Sequence, residues 1–108
     1  MNMRDYQREA ARTTDPTRDF RDRLGNAAMG LAGESGEFVD MAKKHLHHGH
    51  DLDRSALLKE LGDILWYVAE ACTVLDVDLS GVAAGNLWKL RKRYPDGFSE
   101  ERSRNRTD

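Results

Sequence analysis

The spacing of apolar residues restricts the fold of this chain more than any other feature. Ala27, Leu31, Phe38, Met41 and Ala42 recur at intervals of three and four, and residues 56–75 repeat the pattern. That is the period of a helix with one buried face, and no run alternates apolar and polar residues as a half-buried strand requires. The chain is therefore read as all-α. Residues 3–12 make a short amphipathic helix, followed by a polar loop or broken turn over 13–25 that contains Pro16. A second helix runs from about Asn26 to Lys44 and ends in the segment HLHHGHD, with Gly49 as the stop. A third, capped by Asp53 or Ser55, continues to about Leu75. A fourth spans Leu79 to Arg93 and is closed by Tyr94-Pro95 and Gly97. Four helices with short connections predict a helical bundle in one domain, residues 1–98. Residues 99–108 lack apolar side chains and are expected to form a disordered polar tail.

Apolar residues make up 39% of the 108 and charged residues 33%, so the core of one copy is thin for its size. Leu65 and Trp66 lie outside the main stripe of the third helix. A second copy would cover them, which predicts a homodimer or homotetramer. A net charge of −2 argues against a nucleic-acid polymer as partner, because duplex binders carry a basic stripe. The single Cys72 cannot close an internal disulfide and reads as a small buried residue, which suits a reducing, cytoplasmic setting. No stretch of ~20 apolar residues offers a membrane span.

The chemistry lies in two acid pairs. Glu34 and Glu37 share the second helix and Glu60 and Asp63 the third, each pair at i, i+3. At about 100° per residue, Leu57, Ile64, Tyr67, Val68, Ala71 and Val74 fall between roughly −40° and +80° of Glu60, with Asp63 near −60°. Around Glu34 the apolar residues fall between roughly −20° and +80°, with Glu37 near −60°. Each helix thus aims one acid from the middle of its buried stripe and a second from the edge. An ionised carboxylate buried alone costs several kcal/mol, and four converging acids repel one another. No lysine or arginine occupies either apolar arc. A divalent cation resolves both costs, and oxygen-only ligands select a hard one, Mg²⁺ or Mn²⁺. Di-iron bundles instead use Glu-x-x-His, and here positions 37 and 63 are acids.

The fourth helix carries a polar face that suits a polyanion or simply solvent: Asn86, with Lys89 at about −60° and Arg93 at about −20°. Lys43 and Lys44 could approach the same anion or offset the partial charge at the end of their helix. Trp66, Tyr67 and Trp88 are either core or a surface for stacking a base. His45, His47, His48 and His50 lack the spacing of a structural zinc site and read as a solvated loop.

The segments GLAGESGEFVDMAKK (30–44), KELGDILWYVAE (59–70) and NLWKLRKRYPDGF (86–98) resemble the MazG family of all-α nucleoside triphosphate pyrophosphohydrolases. The family signature E-x-x-E, spacer, E-x-x-D is matched by Glu34, Glu37, Glu60 and Asp63. The resemblance implies hydrolysis of a (deoxy)nucleoside triphosphate between the α- and β-phosphates, giving the monophosphate and pyrophosphate. It also implies that the four acids bind Mg²⁺ and carry the reaction, that Lys89 and Arg93 contact the triphosphate, and that a partner chain completes the bundle. The acid that some members carry directly before the first motif glutamate is Gly33 here. The alternative is a non-catalytic helical oligomerisation module, or a nucleotide sensor, whose acids are structural or hold a regulatory cation.

Overall fold

A computed structural model describes residues 1–107. Among the described residues five helices follow one another: α1 (Met3–Ala11), α2 (Phe20–His47), α3 (Arg54–Val74), α4 (Leu79–Arg93) and α5 (Glu100–Arg104). The fold is all-helical, as expected. The starts of α1, α2, α3 and α5 are fixed by local caps. Asn2 accepts from the Asp5 amide, Asp19 from Asp22, Asp53 from Ala56 and Ser99 from Arg102. Each cap satisfies one amide that the first helical turn leaves without a partner.

Two expectations change. The second helix begins at Phe20 rather than near Asn26, because the Asp19 cap lies beyond the reach of Pro16 and nothing interrupts the helix after it. It also runs on through His47, taking in part of the predicted histidine loop. The polar tail, expected to be disordered, holds α5. There the Tyr94 and Phe98 rings pack tilted at 49° with centroids 5.5 Å apart and Gly97 turns the chain at φ +91°, so residues beyond it fold back beside the end of α4.

α2 and α3 run antiparallel and form the central pair. They approach closely at Gly30, where the Tyr67 ring fills the place a Cβ would take. Only glycine allows this approach. α1 crosses α3 on another face, so α3 packs on two sides rather than the one its apolar stripe suggested. The most deeply buried apolar side chains there are Ala69, Cys72 and, at the head of α4, Leu79, with Tyr6 and Val68 packed around them. Ala69 lies about 180° from Glu60 around the helix. Burial pushes the Cys72 thiol up from its ordinary value. Gln7 ties this junction together: its amide donates to Thr73 Oγ1 (3.2 Å) and the Val77 carbonyl (2.9 Å), and its Oε1 accepts from Leu79 N–H (2.8 Å). It thereby caps α4, for which Asp78 supplies no side-chain bond.

The molecule is open. Its radius of gyration is 17.0 Å, against about 13 Å for a compact domain of this length. Its accessible surface is 8205 Å², against about 6,100 Å² for a folded monomer of this mass. The excess has a source. α4 packs on α1 and α3 at its start, where Leu79 is buried, but Val82, Leu87, Trp88 and Leu90 are exposed further along. Leu58, Leu61 and Leu65 of α3 are exposed too.

Candidate functional site

The acids meet one to two helical turns from the contact between Gly30 and Tyr67. Glu34 follows Gly30 on α2, and Glu60 precedes Tyr67 on the antiparallel α3. Carboxylate oxygens of Glu34, Glu37 and Glu60 all lie within 4.8 Å of one another. Glu34 and Glu60 are half-buried and Glu37 is exposed. Glu34 Oε2 and Glu60 Oε2 are both shut off from solvent and accept no hydrogen bond. The Glu60 carboxyl is pushed up to about 7, first by the Glu34 carboxylate against it, then by burial and by the Glu37 charge. Like charges this close favour a proton on one of them or a cation among them. Two orphaned buried oxygens on facing helices, with a third carboxylate at the rim, fit a hard divalent cation.

The structure does not gather every expected residue. Asp63 is exposed and lies outside the triplet; it faces α1, where its charge adds to burial in raising the Tyr6 hydroxyl. Lys43 and Lys44 both pair with Asp40, at 3.4 and 2.8 Å, and together hold that carboxyl below its ordinary value. Asn86 and Lys89 are exposed on the outlying part of α4, and Arg93 is half-buried at its end. Trp88 is exposed, with the Lys92 ammonium 4.6 Å from its ring centre. The His45 ring donates from Nδ1 to the His50 carbonyl at 2.8 Å, closing the end of α2.

A second polar cluster escaped sequence reasoning. Glu70 is buried to 4% exposure and accepts from Arg23 Nε (3.2 Å) and Nη2 (2.7 Å), and from the Thr14 hydroxyl. Trp66 Nε1 donates to Thr13 Oγ1 at 2.9 Å, and its ring stands edge-on to Tyr67. These contacts seat the α1–α2 loop on α3 around a cavity of about 160 Å³. The only local signal was an acid on α3 off its apolar stripe; its partners lie 47 and 56 residues away.

The profile of the MazG nucleotide pyrophosphohydrolase domain matches residues 25–98, the segment holding all three clustered acids. The chain is also 40% identical over 87 residues to the gene 37 protein of Mycobacterium phage L5, covering 77% of this chain and 76% of the phage protein. No solved structure matches it significantly. With that profile spanning most of its length, the chain belongs to the MazG nucleotide pyrophosphohydrolase family.

Proposed function

We propose that the chain hydrolyses a (deoxy)nucleoside triphosphate between the α- and β-phosphates, releasing the monophosphate and pyrophosphate, with Mg²⁺ as cofactor and Mn²⁺ as a substitute. The observation that carries this reading is the meeting of Glu34, Glu37 and Glu60 with two buried oxygens left unbonded. These three would hold the ion, with Asp63 at the edge. When bound, Mg²⁺ neutralises phosphate charge and lowers the pKa of water. The carboxylates accept the proton lost by water as it attacks the α-phosphorus, and pyrophosphate leaves as the bond to the bridging oxygen breaks. Lys89 and Arg93, with Asn86, are assigned to the triphosphate. The experiment is a panel of standard and modified nucleoside triphosphates with Mg²⁺, assayed for pyrophosphate. Release from at least one, and none without the metal, is expected; silence across the panel would return the chain to a binding or oligomerisation role.

The working form is a homodimer or homotetramer. α4 packs mainly on α1 and α3, and a second copy is assigned to bring Lys89 and Arg93 of one chain to the acids of another. The surplus of about 2,000 Å² of surface over a compact monomer is of the size that permanent subunit interfaces bury. Light scattering at micromolar concentration should give two or four times 12.3 kDa; a mass of one chain would sink this assembly.

A further inference from the structure

The cavity under the α1–α2 loop opens on the same side of the central helix pair as the rim of the acid site. Around α2, Asn26 falls at about −80° from Glu34; around α3, Trp66 and Glu70 fall at about −120° and −80° from Glu60. Glu37 and Asp63 mark that same edge of their helices, near −60°. On an antiparallel pair equal angles lie on one side, so these residues share one face of the seam. Trp66 stands ~9 Å along it from Glu60 and Asn26 ~12 Å from Glu34, both in the same direction.

The cavity measures about 160 Å³, below the ~300–1,000 Å³ of sites that enclose a whole ligand. It has room for a heterocycle but not for a nucleotide. Most of its polar lining is committed within the fold. Thr13 accepts from Trp66 Nε1, Thr14 and Arg23 donate to Glu70, and Asp15 pairs with Arg18 at 3.6 Å. Asn26 also lines the cavity, and among the described residues none hydrogen-bonds its side-chain amide. The Trp66 ring is held by its bond to Thr13 and by edge-on contact with Tyr67, their centroids 5.0 Å apart.

We propose that this cavity seats the nucleobase of the substrate, with Asn26 as the specificity-determining residue and the Trp66 ring as the wall against which the base packs. The assignment rests on the nucleoside triphosphate pyrophosphohydrolase reading: an α-phosphate at the acids sets the sugar along the seam and the base at this opening. A side-chain amide offers a donor and an acceptor side by side, which matches the paired groups on the edge of a base. An aromatic face accepts any base, so it supplies affinity without choice. A ring already fixed by Thr13 and Tyr67 loses little freedom when the base arrives.

The test uses the full chain with Mg²⁺. Trp88→Phe leaves Trp66 as the one tryptophan of the chain's two, so its emission reports on the cavity. Titration with the deoxynucleoside monophosphates of the four common bases should change that emission for at least one, and adding Asn26→Ala should weaken that binding about tenfold. In turnover of the four triphosphates, Asn26→Ala should raise KM for the preferred base about tenfold, with kcat and the disfavoured bases within about twofold of wild type. Asn26→Asp keeps the size but offers acceptors only, and should reorder the bases. The ratio between bases is what is read, so loss of folded protein does not imitate the effect. Equal losses on every base, or Trp66 emission that no monophosphate alters, would overturn the base site and leave hydrolysis standing. If no triphosphate is turned over yet a monophosphate binds in a manner that depends on Asn26, the base site stands and the pyrophosphohydrolase reading falls.

Discussion

Glu60→Gln is expected to reduce pyrophosphate release on the order of 1,000-fold while leaving helicity unchanged, because a metal ligand supports much of the charge stabilisation in the transition state. The same substitution should change how stability follows pH. In the metal-free protein the Glu60 carboxyl titrates at about 7, raised from 4.5. A carboxyl raised on folding favours the fold while protonated, so its contribution is complete below about 4.5 and is lost as pH climbs through 7. Wild type without metal should therefore melt at a lower temperature at about pH 8 than at about pH 5. Mg²⁺ should restore the loss at the alkaline end by binding the ionised acids. Glutamine cannot ionise, so the variant should show a flatter profile and little response to Mg²⁺. Melting curves against pH with and without metal read all of this. Activity within about tenfold of wild type, or a wild-type melting temperature indifferent to Mg²⁺, would remove Glu60 from the metal site.

Arg23→Ala should cost about 3 kcal/mol of stability, in the range found when one partner of a buried ion pair is removed. The Glu70 side chain is 3% exposed and that of Arg23 28%, so truncation strands the carboxylate with Thr14 as its remaining partner. At ~4–8 °C per kcal/mol for a domain of this size, the melting temperature should fall by more than ~10 °C. Replacing both residues by methionine should recover most of the loss, because an apolar pair of similar volume needs no partner. Thermal melts of Arg23→Met, Glu70→Met and the double close the cycle. A single-variant loss below about 0.5 kcal/mol, the size of a surface pair, would show that water reaches Glu70.

The limits of the helices were legible where their signals were local. Asp53 caps α3 and Leu79–Arg93 bounds α4 as read from the sequence. The start of α2 was missed because Asp19 lies in a polar stretch where a cap and a loop residue look alike. The meeting of Glu34 with Glu60 was legible because helical period alone places each acid on its buried stripe. The positions of Asp63 and Glu70 were not, since both depend on where α1 and its following loop cross α3. Likewise, the face carrying Asn86, Lys89 and Arg93 could be read from one helix, but what it meets depends on how α4 packs against α1 and α3.

The fit of Tyr67 against Gly30 has a consequence for the acids further along the same seam. Two helices packed along a shared seam hold a fixed gap one to two turns from their closest approach, so an uncharged contact helps gauge the width between Glu34 and Glu60. On the proposed function the carboxylates supply the affinity at this place, and a ring resting on bare backbone supplies the ruler.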